Sequence, residues 1–181
     1  MLYHLKPDAM LTERMQSALN EQINAELWSA YLYLSMSLDA ESRALKGVAN
    51  WFFVQWLEEQ DHARIFQNYV NAQGGKVELL PIGPVRNDWN SVLEMFRDTL
   101  RHEREVTAMI ENLVNLALST HDHATLSRLQ WFVDEQVEEE SQARDMVEAF
   151  DNSEDPSVML MLDDKLAKRS YCRCPPLCTV D

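Results

Sequence analysis

The chain has 181 residues, 46% of them hydrophobic, and a formal net charge of -14. That length and apolar content suit one domain with a substantial core, and four glycines are too few for a loop-rich β design. The negative balance disfavours nucleic acid and anionic membranes as partners and favours cations. No apolar run reaches membrane-spanning length. The first residues, "MLYHLKPDAML", lack a basic flank ahead of an apolar segment, so no export signal is expected. All three cysteines, Cys172, Cys174 and Cys178, fall near the end of the chain and cannot staple a core. This fits a reducing, cytoplasmic setting.

Apolar residues recur at helical spacing almost throughout. Met15, Leu19, Ile23, Leu27, Ala30 and Leu34 form the stripe of a first helix, over about 10–39. Phe52, Trp56, Ala63, Phe66 and Val70 mark a second, over about 43–73, stopped by Gly74-Gly75. Residues 74–90 carry two prolines and no helical period. So long a connection in a compact domain implies that it crosses the length of the molecule. The third helix starts near Ser91, where Ser91 and Glu94 have capping-box spacing, and carries Phe96, Leu100, Thr107, Ile110, Val114 and Ala117. After "STHDH" a fourth carries Leu129, Phe132, Val133, Ala143, Val147 and Phe150. A short fifth follows over 156–169, with Asp155 as N-cap and Pro156 in the first turn. The expected fold is an all-α four-helix bundle with one long crossover and a short C-terminal helix.

Several acids fall on the inward stripes. Glu26 lies between Ile23 and Ala30, and Glu103 between Leu100 and Thr107. Glu59 and His62 are one turn apart on the face of Trp56, Ala63 and Phe66. Gln136 and Glu139 fall between Phe132 and Ala143. Singly, each has an ordinary explanation: a boundary carboxylate reaching solvent, or a hydrogen-bonded core histidine. Together they do not, because four carboxylates in one core repel one another and resist ionisation. Bridging cations satisfy all of them at once. Carboxylate dimetal bundles use one Glu from each of two helices and Glu-x-x-His from each of the other two. Here Glu26, Glu103 and Glu59-x-x-His62 follow that pattern, and Gln136-x-x-Glu139 alters the last pair.

The segments "NAELWSAYLY" (24–33), "WLEEQDHA" (56–63), "RHEREVT" (101–107) and "LQWFVDEQVEEE" (129–140) closely resemble bacterial non-haem ferritins, in order, over about 10–169. The resemblance implies a ferritin-like fold over residues 1–170. It implies that Glu26, Glu59 and His62 hold one iron, that Glu103 and Glu139 hold a second, and that Glu59 bridges them. Gln136 matches a glutamine beside this pair, while Glu58, Glu135 and Glu138 match a third iron site. Tyr33, two turns after Glu26, matches a tyrosine that can act in electron transfer. Trp131 reads as a core aromatic. The implied function is iron storage and detoxification, in which a ferroxidase oxidises Fe(II) with dioxygen and deposits ferric mineral inside a 24-subunit shell of identical chains.

The alternative is a di-iron peroxidase of the rubrerythrin type, but its usual rubredoxin module needs two Cys-x-x-Cys pairs. No haem is expected: Gln60 stands where bacterioferritins carry the haem-ligating methionine, and no His follows Glu139 nearby. Residues 171–181, with "CRCPPLC", depart from the family pattern. They are expected to form a flexible, solvent-exposed tail held open by Pro175 and Pro176.

Overall fold

The computed structural model describes residues 11–151 and 155–178. The expectation of no export signal rests on residues 1–10, which lie outside the described residues, as do residues 179–181 of the tail. Four long helices, α1 (Glu13–Ser42), α2 (Lys46–Ala72), α3 (Val92–Ser119) and α4 (His123–Asp151), are followed by the short α5 (Pro156–Leu166) and a 3-10 turn at Pro175–Leu177. Among the described residues no helix is long and apolar enough to cross a membrane.

Local chemistry sets the boundaries. The Thr12 hydroxyl accepts from the Met15 N–H at 3.2 Å, so α1 begins three residues later than the apolar stripe suggested. Ser91 accepts from the Glu94 N–H at 3.1 Å, and Glu94 reaches back to the Asn90 N–H at 2.8 Å. Gly74 ends α2 with φ 72°, a left-handed conformation that glycine adopts without steric cost. Helix α5 stops at Leu166 rather than near 169.

The crossover runs alongside α1 in the same direction. The side chain of Gln16 accepts from the Lys76 N–H, and Asn20 bonds both the Lys76 carbonyl and the Glu78 N–H. Further along, Ser35 donates to the Arg86 carbonyl at 2.7 Å, and Arg43 donates to the Trp89 carbonyl. An extended stretch of that length covers about 40 Å, which matches the rise of α1 between its partners. Side chains of α1 and its C-cap Arg43 thus satisfy these loop backbone groups at Lys76, Glu78, Arg86 and Trp89, and α3 starts beside the C-terminal end of α1.

The interior has two apolar clusters. One joins Met15, Leu19, Ile23, Phe66, Ile110 and Phe132; the other joins Tyr33, Met36, Phe52, Met95, Phe96 and Phe150. Stacked rings reinforce both, with Phe66 on Phe132 at 4.0 Å and Phe52 on Phe96 at 5.1 Å. Between them lies a layer of buried polar side chains.

Helix α2 depends on α5. Leu45, at the N-cap position of α2, offers no side-chain hydrogen bond. The Asp163 carboxylate of α5 supplies it, accepting from the Val48 N–H at 2.8 Å. This close approach requires glycine at 47, where a Cβ would stand 1.7 Å from the Asp163 carbonyl oxygen. Gly47→Ala is therefore expected to push α5 off α2 and to cost about 1–3 kcal/mol. Thermal unfolding measures the loss. Hydrogen exchange should accelerate over 156–166 while the middles of α1 to α4 stay protected, and unchanged exchange in α5 would count against this packing.

Candidate metal centre

Each long helix sends side chains into the polar layer. Helix α1 contributes Glu26 and Tyr33, α2 contributes Glu59 and His62, α3 contributes Glu103, and α4 contributes Gln136 and Glu139. All are buried; Glu139, the most open of the four carboxylates, is 3% exposed. Glu26, Glu59 and His62 each offer a ligand atom within 4.8 Å of the others, and no other described residues form such a group of three or more. His62 Nδ1 stands 3.3 Å from Glu59 Oε2.

Neutral amides hold the remaining carboxylates. Gln136 Nε2 donates to Glu103 Oε2 at 3.3 Å and to the Glu103 carbonyl at 3.2 Å. The Tyr33 hydroxyl donates to the other oxygen of Glu103. Gln55 Nε2 donates to Glu139 Oε2 at 2.9 Å, and Gln22 Nε2 to Glu26 Oε1 at 2.9 Å. Trp131, half-buried, sets its ring edge-on to His62 at 5.6 Å and packs against Phe132.

Burial dominates the electrostatics. It pushes Glu59 well above the usual carboxylate range, Glu103 up to about 7 and Glu139 up to about 8, the last two also through neighbouring carboxylates. The Tyr33 phenol is raised by burial and by Glu103, so it stays a neutral donor. Burial works against a charged His62, but Glu59, the neighbouring Cys174 thiol and Glu26 outweigh it and raise the imidazole. Several protons therefore occupy the layer near neutrality. Even so, Glu26 Oε2 has no hydrogen-bond partner, and His62 Nε2 meets no oxygen or nitrogen partner, with only the weakly bonding Cys174 thiol beside the ring, an uncommon state for buried polar atoms. An all-oxygen and nitrogen donor set with two such atoms fits a hard or borderline divalent cation.

The expected third cluster is not gathered in the same way. Glu58 and Glu135 are half-buried and Glu138 is exposed. Glu58 and Glu135 feel each other's charge, but Glu58 pairs with Arg169 at 2.6 Å. The tail also departs from the expectation of a solvent-exposed end. Tyr171 donates to Asp61 at 2.6 Å, the Cys174 N–H donates to the same carboxylate, and Cys174 and Leu177 are buried. Cys172 and Cys178 are exposed.

Four partners of the layer escaped the sequence reading. Gln22 and Gln55 precede Glu26 and Glu59 by one turn, a spacing that could have signalled them. His102 adjoins Glu103, is held 2.7 Å from Ser29 Oγ, and is pulled down to about 4 by burial and Arg101. Arg169 lies beyond the fifth helix and had no local signal.

Residues 16–153 match the Ferritin-like domain family. A bacterial non-heme ferritin of Bacteroides fragilis is 38% identical over 160 residues, covering 88% of this chain and 100% of its own. A bacterial non-heme ferritin of Staphylococcus aureus is 37% identical over 163 residues, covering 90% and 98%. Among solved structures, an engineered closed form of the Archaeoglobus fulgidus ferritin superposes with a TM-score of 0.88 at 44% identity, covering 90% of this chain and 99% of that one. The open pore ferritin of the same archaeon gives 0.87 at 45% identity, covering 88% and 99%.

The raised carboxyls set a pH dependence. Their folded values exceed the ordinary 4.5, so the metal-free fold is favoured below that value and loses this contribution as pH rises through about 7 and about 8. Melting temperature of the metal-free protein should fall across that window. Saturating Zn(II), which binds the ionised forms, should restore it and release protons on binding. A Glu103→Gln/Glu139→Gln double variant should flatten the metal-free profile in calorimetry.

Proposed function

The chain belongs to the ferritin family, and on that premise we propose that it oxidises Fe(II) with dioxygen at the buried layer and stores the ferric product inside a shell of its own copies. The carrying observation is the group Glu26, Glu59 and His62, buried yet with Glu26 Oε2 unpartnered and His62 Nε2 facing no oxygen or nitrogen partner. The names of the relatives support iron as the cargo, and the donor set suits it.

In this reading Glu26, Glu59 and His62 take the first ferrous ion, while Glu103 and Glu139 take the second. Glu59, lying between the two groups, bridges them. Four glutamates carry as many negative charges as two ferrous ions carry positive ones, so filling the layer neutralises it. The protons held on Glu103, on Glu139 and on the Glu59–His62 pair leave as the ions enter. Two ferrous ions side by side deliver two electrons to one dioxygen molecule, which one ion cannot do in a single encounter. Dioxygen takes these two electrons with two protons from the solvent and leaves as hydrogen peroxide; the two surplus positive charges that remain in the low-dielectric layer favour capture of hydroxide and departure of the ferric ions. Tyr33 and Gln136 keep Glu103 oriented through this change. Tyr33 is also within reach to relay an electron, because its hydroxyl donates directly to a ligand carboxylate.

Exposed apolar side chains support the shell. Tyr31 and Leu38 of α1 lie on one surface, Leu79, Leu80 and Ile82 crown the crossover, and Leu160 and Met161 face outward from α5. Separate apolar surfaces on one chain suit more than one symmetric contact. Light scattering should give a 24-subunit particle of about 500 kDa, and a monodisperse monomer or simple dimer would sink the storage reading. Aerobic Fe(II) addition should load far more iron than the few ions a site alone can hold.

The bridge itself is tested by Glu59→Ala. Fast Fe(II) oxidation should drop by about 10²-fold or more, since both ions lose a ligand and their spacing. His62→Ala should be milder, because it strips only the first ion. The metal-free Glu59→Ala protein should assemble and be as stable as the parent or more so, since one buried repelling carboxyl is gone. Stopped-flow absorbance and calorimetry make these comparisons. An unchanged oxidation rate would exclude Glu59 as the bridge.

A further inference from the structure

The segment after α5 does more than end the chain. Asn50 Nδ2 donates to the Leu166 and Arg169 carbonyls at 3.1 and 2.9 Å, tying the start of the segment to α2. The Arg169 guanidinium lies over the Trp51 ring at 4.7 Å and donates to the Trp51 carbonyl at 3.3 Å. It also donates to Gln55 Oε1, and to Glu58 Oε2 at 2.6 Å. Both side chains of the Arg169–Glu58 pair are less than one fifth exposed, at 18% and 19%, so this is not an easily screened surface contact. Farther along, the Asp61 carboxylate and the burial of Leu177 anchor the segment again.

Two consequences follow from Arg169 sitting where it does. Its charge neutralises Glu58, which is half-buried like Glu135 and feels that neighbour's charge. Its second contact fixes the amide of Gln55: with Oε1 held by the guanidinium, Nε2 must point the other way, at Glu139 Oε2. An amide free to rotate could present either atom.

We infer that Arg169 is a positioning residue of the metal centre: it stands in for a cation at Glu58 and, through Gln55, orients Glu139. The inference rests on the paired-ion reading above. It makes the layer a two-ion site while the segment is docked, and a third ion binds beside it only where Arg169 is withdrawn. A planar guanidinium suits the task, since one rigid fork serves the amide and the carboxylate together.

The test is anaerobic titration of the intact metal-free protein with Co(II), followed by calorimetry and visible absorbance. The parent should bind two ions per chain. Arg169→Ala should bind three, and the second ion should lose about tenfold in affinity, as is typical when an outer partner of a ligand is removed. Arg169→Gln keeps a polar side chain without charge and should also bind three, which covers the case of an alanine variant that fails to fold. Arg169→Lys restores the charge and should return the count to two. Gln55→Leu should keep two ions and weaken only the second. Two ions with unchanged constants in both neutral variants would overturn the role of Arg169 while leaving the paired site intact. Three ions in the parent would overturn it as well. Fewer than two in the parent would overturn the paired-ion reading and this inference with it.

Discussion

Everything else in the molecule is arranged around a layer of carboxylates buried between two apolar clusters. Water cannot reach them, and ionised carboxylates left alone in such a place are prohibitively costly. The protein limits the cost in three ways. Burial raises Glu59, Glu103 and Glu139 so that protons remain. Amides from Gln22, Gln55 and Gln136 each donate to a carboxylate. Glu59 shares a pair with His62. What these devices leave least satisfied, at Glu26 Oε2 and at His62 Nε2 beside the Cys174 thiol, is where the proposed ion would bind. A four-helix bundle suits this because four antiparallel or parallel rods can each present one face at the same height.

The helices were legible because a 3.6-residue period survives the acids: Glu26 and Glu103 interrupt stripes whose other members, Ile23, Ala30 and Ile110 among them, are indeed buried. The crossover was legible by its length alone. Its pairing with Gln16, Asn20 and Ser35 was not, since a non-repeating backbone bonded by scattered side chains leaves no period to read. Within the layer, the ligand-type residues stood out because acids on an apolar stripe are conspicuous. Gln22 and Gln55 did not, because a glutamine on a helix is ordinary. Glu135 and Glu138 could be read as neighbours one turn apart, but the partner of Glu58 comes from 111 residues away, and nothing in the local pattern announces it.

The tail shows why its sequence misled. Pro175 and Pro176 suggested an end held open, yet they form a 3-10 turn that seats Leu177 with Cys174 against the cluster of Met15, Phe66 and Phe132. Fixed proline φ angles lower the entropy lost on ordering, so a proline-rich segment docks readily wherever it finds partners. The partners exist because of an earlier defect. Leu45 cannot cap α2, Asp163 of α5 does so instead, and that contact delivers the chain to the side of α2 that carries Trp51, Gln55, Glu58 and Asp61.

The altered pair on α4 follows from the same accounting. A glutamate at 136 would add another acceptor facing Glu103, which already accepts from Tyr33, and would raise the repulsion among buried acids. Glutamine at 136 reverses the sign of the contact: the two hydrogens of its Nε2 are shared among Glu103 Oε2, the Glu103 carbonyl and Thr107 Oγ1. An amide does not change charge with pH or with the oxidation state of a neighbouring ion. Glu103 is therefore held by a partner indifferent to the two variables that the rest of the layer must respond to. Glu139, on the next turn of the same helix, accepts from a single amide, that of Gln55, and so would exchange its proton for an ion with fewer bonds to break. In the proposed function, one carboxylate held by two donors and one held by a single amide suit a second ion that must bind, change charge and depart.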